Sequence, residues 1–524
     1  MPETQKTTEI STNVEFIEPA KPGFWRSWWR RSDKGLLTLL LLFVLTLPLF
    51  TPRIYATDEI EYFSYLHSIV FDHDVDFTNE YNHFINTDPQ KYAGFKQDLL
   101  DKHNENNLPI NVGPVGSALM WSPFYLLAHG VTTVAHAAGF KVQADGYSSP
   151  YVFAVAFGSL LYGFLGLLIT YWLVNQFVPK FYAALATAVI WFASPAIFYM
   201  SLTPPMSHAN SLFAISLFLF VWYRTRGWSL DEQGRFIAGQ RSWQAWLGLG
   251  VLGGLATMVR EQDGAVMIVA AIESIYLLRQ LFSPHKGTQN NIKVLIAFAK
   301  DNSVQRLGLK NLLFLTGVVI GFVPQLVVYQ FLNGHLGPSK IVSNKLLLFT
   351  PTSFEQFFRL MFDPNHGMYL WSPILLVATV GLLLMLRERR LRFVTIAFFA
   401  AFLCELYISA SFKTWTMAGS FGTRRMVGIS PVFVAGLAYL TYWLAEGKRG
   451  WHLARRWLVG LGIMFILWNV GLIIQFAAIR DEVGRQNLDI ARAIGDQFGR
   501  VPAKIFDVAQ NFLFHRSSFY KKTP

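Results

Sequence analysis

The chain has 524 residues and a net charge of +12, with 52% hydrophobic, 16% aromatic and only 15% charged residues. Soluble domains carry about 25% charged residues, and apolar stretches of ~20 residues match a ~30 Å hydrocarbon core. The composition therefore excludes a soluble globular protein and predicts an all-α polytopic membrane protein. A membrane barrel is excluded as well, because its strands alternate in roughly 10-residue segments.

Positive charge in such a chain follows from the excess of Lys and Arg in cytoplasmic loops, so no nucleic-acid partner is expected. The lone Cys404 lies in an apolar run and rules out a disulfide framework or a cysteine metal site. Asn-x-Ser/Thr sites are absent, which leans towards a bacterial inner membrane.

Residues 1–35 end in a basic stretch, Lys21 to Lys34, with Trp25, Trp28 and Trp29. This reads as a cytoplasmic interfacial anchor ahead of an uncleaved span. Apolar runs follow near 36–52, 114–138, 150–175, 181–200, 205–223, 243–259, 264–280, 311–332, 367–386, 393–411, 427–445 and 457–475. Basic clusters fix the cytoplasmic side at Arg224–Arg241, Lys286–Lys310, Arg387–Arg392 and Lys448–Arg456. An even number of spans must then separate the N-terminus from Arg224, so one early run does not cross. The 114–138 run carries Pro114, Pro123, His129 and His136 and is assigned to the outer interface, which leaves about eleven transmembrane helices. The N-terminus is inside and the C-terminus outside.

This topology makes 53–149 a large external first loop, expected to contain juxtamembrane helices, and makes 333–366 a second external loop. Residues 367–475 supply the C-terminal transmembrane helices. The 476–524 tail spaces Ile490, Ala493, Ile494, Phe498, Val501 and Ile505 as an amphipathic helix on the outer leaflet.

Asp58 and Glu59 follow the first apolar run within eight or nine residues of Phe50, and Glu61 comes next. Carboxylates beside a span are costly unless they face a site or aqueous cavity, and one near an apolar boundary suits proton abstraction. The plain reading is carboxylates solvated by lipid headgroups. Doubling of the pair at the span end favours chemistry. Further on, Asp72, Asp74 and Asp76 alternate in Phe71–Phe77. In an extended segment they share a face, so Asp72 and Asp74 are candidate ligands for a divalent cation (Mg, Mn or Ca), and Asp76 a candidate second acid.

A phosphate-bearing substrate needs basic partners. Arg424 and Arg425 stand in Gly419–Met426, an external turn rich in glycine, close to Lys413. External arginines run against the positive-inside bias, which favours binding. Arg260 sits in a tight corner with Glu261 and Asp263, where an internal ion pair is the plain alternative. His208 begins a span, where a packing role competes with binding. Lys340, Lys345 and His366 flank or lie within the second external loop as further phosphate candidates.

Together these features resemble the GT-C superfamily of polyprenyl-phosphate-sugar-dependent glycosyltransferases, near the protein O-mannosyltransferases and the aminoarabinose lipid A transferases. The resemblance rests on Asp58-Glu59, the following segment with Tyr62, the Asn111-Val-Gly-Pro-Val-Gly116 stretch with Pro123, and seven spans before a long external loop. It covers about 36–332. It implies a GT-C-type fold and an inverting transferase acting on the outer face. Asp58 would be the base with Glu59 beside it, and Asp76 or a neighbour the second acid. The substrates would be a polyprenyl-phosphate-linked sugar and a lipid, glycan or protein acceptor. The 333–366 loop has no β-trefoil insertion, a departure that counts against a protein Ser/Thr acceptor.

Two other classes compete. A transporter or lipid flippase would use Asp58, His208, Arg260 and Glu261 as a midplane relay, whereas these acids cluster at one external edge. A polysaccharide polymerase or ligase would share the lipid donor but lean on Arg424, Arg425 and His208.

Overall fold

The computed structural model describes residues 33–88, 92–231, 233, 235–282, 301–417, 419–447, 452–480 and 488–516. The tryptophan-rich N-terminal anchor and the basic residues Lys286, Lys293, Lys300, Lys448 and Arg449 lie outside them. Among the described residues, five helical segments are long and apolar enough to cross a membrane: Ser149–Val174, Glu261–Phe282, Asn302–Asn333, Arg392–Ala410 and Arg455–Ala478. Shorter apolar helices are Lys34–Leu49, Lys180–Phe192, Trp243–Val259 and Pro373–Met385. Leu312, Leu315, Val319, Val323 and Val327 of the 32-residue segment are left exposed. A continuous apolar face of this kind is satisfied by lipid and not by water.

Helices are numbered from here without the four-residue turns. The first is α1 (Lys34–Thr46), followed by α2 (Thr57–His67) and α3 (Thr78–Thr87) in the first loop. Then come α4 (Gly116–Ala137), α5 (Ser149–Val174), α6 (Lys180–Phe192) and α7 (His208–Arg224). A small antiparallel hairpin, β1 (Trp228–Leu230) with β2 (Phe236–Ala238), departs from the all-α expectation. Beyond it lie α8 (Trp243–Val259), α9 (Ile268–Phe282), α10 (Asn302–Asn333), α11 (Pro351–Phe362) and α12 (Pro373–Met385). The chain continues with α13 (Arg392–Ala410), α14 (Ser430–Glu446), α15 (Arg455–Ala478), α16 (Ile490–Phe498) and α17 (Arg500–Phe514).

Several apolar runs end early for a local reason. Proline cannot donate a backbone hydrogen bond and restricts the residue before it. The run at 36–52 therefore stops as helix near Pro48, and that at 181–200 stops at Phe192, before Ser194-Pro195. The chain then makes a single wide turn, Phe198–Leu202. The amide of Thr51 bonds the carbonyl of Ser201 at 2.9 Å, tying the exit of α1 to that turn.

Glycines decide the closest helix contacts. On α8 and α10, a Cβ at Gly250, Gly254, Gly317 or Gly321 would fall 2.0–2.3 Å from a carbonyl oxygen of the facing helix. Small residues four apart thus let two backbones touch, which drives association where lipid removes the hydrophobic incentive. Gly381 on α12 and Gly436 on α14 repeat the arrangement, at 2.1 and 2.2 Å. At the basic, Arg241-bearing end, Arg241 and Glu273 form a fully buried ion pair at 2.6 Å.

Candidate active site

The exit of α1 leads directly to the site. Glu59 accepts hydrogen bonds from the amides of Tyr55 (2.5 Å) and Ala56 (3.1 Å), satisfying orphan donors at the start of α2. Burial raises its pKa. This is a capping role, and it leaves Asp58, one position earlier, free to point elsewhere. Asp58 meets Arg424 at 2.9 Å, with side chains 35% and 18% exposed.

Both residues line a cavity of about 830 Å³, whose wall is otherwise mostly apolar. Leu42, Leu45 and Leu49 come from α1 and its end, Ile473 and Ala477 from α15, and Ile505, Val508 and Phe512 from α17. The tail is therefore more than the surface helix its spacing predicts: one face of α17 completes the cavity. Arg516 anchors it by donating to the carbonyls of Phe50, at 2.7 Å, and Pro48.

The Gly419–Met426 turn is held rigidly. The Tyr199 hydroxyl bonds both the amide and the carbonyl of Phe421, at 2.9 and 3.1 Å. Gly422 adopts φ +57, a left-handed conformation that disfavours other residues, and packs on Pro195. His366 is fully buried, stacks on Trp371 and reaches the carbonyl of Ser420 at 2.7 Å. Burial lowers its pKa to about 4. It supports the turn from below and is no phosphate contact.

Behind Arg424 lies a polar web. Arg260 donates to Ser207 Oγ and His208 Nδ1, both at 3.0 Å, and Ser207 donates to the Tyr62 hydroxyl at 3.0 Å. His208 is thereby an acceptor. Arg260 also reaches Gln262 at 3.2 Å, while Asp263 stands 3.9 Å away and Glu261 takes the Tyr329 hydroxyl instead. The internal ion pair that is the alternative for Arg260 is thus loose, and its close bonds are to neutral groups. Gln262 continues to Glu405 (2.5 Å) and to the carbonyl of Arg425 (3.2 Å). Arg425 bonds the Ser409 carbonyl at 3.1 Å and lies over the Phe412 ring. Burial, then the charges of Arg424 and Arg260, lower its pKa to about 9. Arg260, Arg424 and Arg425 therefore gather in this corner together with the carboxylates of Asp58, Asp263 and Glu405, and of the three guanidiniums it is Arg424 that pairs directly with Asp58.

Glu61 is a second acid near Asp58 that its own sequence context did not single out. It is buried, and its pKa is driven well up by burial and then by the charge of Asp58. The Asn111–Gly116 stretch packs against it. Asn111 donates to the Glu61 carbonyl at 2.9 Å, and a Cβ on Gly116 would strike Met258 just before Arg260. Lys345 contributes charge near Glu61, and the Lys413 amide bonds the Lys345 carbonyl at 2.8 Å. The Lys413 side chain itself is exposed.

The Phe71–Phe77 segment differs from its expected form. It is not extended: Ser68–Asp72 is a wide helical turn and His73 is left-handed at φ 59. Asp74 accepts from Ser68 Oγ at 2.8 Å, and Asp76 from Thr78 Oγ1 at 2.6 Å. Asp72, Asp74 and Asp76 line a separate shallow recess, so Asp76 does not join Asp58 in the apolar cavity. Asp72 turns instead towards His67 and Glu80.

No protein-family model and no curated protein matches this chain. Among solved structures it is similar to the archaeal oligosaccharyltransferase AglB from Archaeoglobus fulgidus, in complex with an inhibitory peptide and a dolichol-phosphate. The TM-score is 0.45 at 12% identity, over 89% of this chain and 56% of that one. This chain thus spans little more than half the length of that protein.

Proposed function

We propose that the protein is a membrane glycosyltransferase of GT-C type, moving a sugar from a polyprenyl-phosphate carrier to a lipid, glycan or protein acceptor on the external face. The observation that carries this reading is the Asp58–Arg424 contact, 2.9 Å long, on the wall of an apolar cavity of about 830 Å³. An isoprenoid tail wants a wall of Leu, Ile and Phe, and its phosphate wants guanidinium donors at the end of that wall.

In this mechanism the donor phosphate takes the hydrogen-bonding capacity of Arg424, with Arg260 and Arg425 adding charge behind it. Asp58 is thereby released towards the acceptor and takes its O–H or N–H proton. The acceptor atom attacks the anomeric carbon as the bond from that carbon to the phosphate oxygen breaks. Polyprenyl phosphate leaves, with inversion at carbon. Glu61, next to Asp58, takes the place of Asp76 as second acid, and Glu59 serves by capping α2. His208 orients Arg260 directly, and Tyr62 does so through Ser207. About eleven spans, with a cytoplasmic N-terminus and an external C-terminus in a bacterial inner membrane, complete the reading.

The test is release of polyprenyl phosphate by purified protein supplied with a panel of polyprenyl-phosphate sugars and candidate acceptors. Release that is lost in Asp58→Asn while donor binding persists supports it. Intact transfer in both Asp58→Asn and Arg424→Ala, with solute or lipid flux lost instead, overturns it in favour of a transporter.

A further inference from the structure

The far end of α2 carries a second group of chemistry-bearing residues, outside the cavity. His67 Nδ1 lies 3.2 Å from Asp72 Oδ2 and 2.9 Å from Glu80 Oε1, and the three ligand atoms are all within 4.8 Å of one another. The wide turn after α2 brings Asp72 back under His67, and α3 supplies Glu80 from the other side.

Glu80 is the informative member. Its side chain is completely buried, and Oε2 has no hydrogen-bond partner. The ligand oxygens of Asp72 and Glu80 stand within 4.8 Å of each other. Two carboxylates facing each other, one of them buried with an unpartnered oxygen, are a costly arrangement unless a cation joins them. The imidazole is also held for ligation, stacked between Phe71 (4.8 Å) and Tyr147 (4.0 Å) at interplanar angles of 8° and 19°. Asp72 is further steadied by Asn79 at 2.9 Å, the kind of outer contact that orients a metal ligand. Its side chain is 32% exposed, which gives an ion a route in.

We propose that His67, Asp72 and Glu80 bind one divalent transition-metal ion of the Zn²⁺ class. One imidazole with two carboxylates is a mixed N/O set of the kind zinc accepts, with water filling the open position. Calcium and magnesium favour all-oxygen shells of six or more ligands. Asp74 is not one of the three, and its Oδ1 accepts instead from Ser68 Oγ and the Asp76 amide. The ion staples α2 to α3 and so braces the helix whose first turn carries Asp58. This assignment stands apart from the transferase reading.

The experiment uses the full chain in detergent micelles, stripped with chelator and titrated with Zn²⁺ by calorimetry and elemental analysis. The expected result is one tight equivalent and a raised melting temperature. Glu80→Gln and Asp72→Asn should each weaken binding at least about tenfold, while Asp74→Asn keeps the full equivalent. Failure of the unmodified protein to bind Zn²⁺ overturns the proposal and leaves the triad an ion pair only. Binding that survives unchanged in both Glu80→Gln and Asp72→Asn overturns it as well, by placing the ion elsewhere.

Discussion

The two ends of α2 are both rich in carboxylates, yet they carry different counter-charges. At the N-terminal end, Asp58 touches Arg424, and Arg260 and Arg425 crowd behind it. At the C-terminal end, Asp72 and Glu80 share a single imidazole, and no guanidinium ion pair to either is found among the described residues. Permanent cations beside the acids offer guanidinium donors that an anionic ligand can take. Acids that outnumber their partner leave a place for a cation. The side chains are similar at the two ends, and the counter-charge decides what each can hold.

The sharpest way to break this comparison is to remove the proposed base. Asp58→Asn is expected to lower transfer by about 10²–10⁴-fold, read as polyprenyl phosphate released per enzyme, with donor binding kept. Next in size, Arg424→Ala should weaken donor binding about 10–100-fold, the cost of a lost charge-assisted hydrogen bond of ~1.5–3 kcal/mol. Titration with a lipid-phosphate analogue measures it, and Arg424→Lys should restore only part because the fork geometry is lost.

Glu61 sharpens the picture through pH. Its folded pKa lies well above the ordinary carboxylate value, owing to burial and then to Asp58. Above pH ~4.5 the unfolded chain therefore loses this proton while the native state keeps it. Stability falls as pH rises through that window, by about 1.4 kcal/mol per pH unit from this group alone. Glu61→Gln should flatten the slope, so melting curves in detergent will show the variant gaining on the parent as pH rises above about 4.5. The smallest effect is expected at Asp76→Asn, which should leave transfer within about twofold, because Asp76 faces the other recess. A loss as large as that of Asp58→Asn would mean the two ends act as one site.

Much of this was legible in the linear chain. Apolar runs of spanning length, the basic clusters between them and the placement of Asp58, Arg260, Arg424 and Arg425 at span ends all follow from hydropathy and charge, which act locally. Helix limits moved where proline stops a run, as at Pro48 and Pro195. The Asp72–Asp76 alternation misled because a pattern with period two implies a shared face only if the backbone is extended, and here Ser68–Asp72 curls.

What composition and spacing determined alone is the material: helices that need lipid, and charges rare enough there to mark a site. Only the tertiary structure decided the partners. Asp58 and Arg424 are hundreds of residues apart in the chain, and they meet because the exit of α1, the Phe198–Leu202 turn and the Tyr199-clamped loop are hydrogen-bonded into one corner. No local preference encodes that meeting. It results from where proline ends α1 and α6 and from which glycines let backbones touch, and both exert their effect only once the helices are packed.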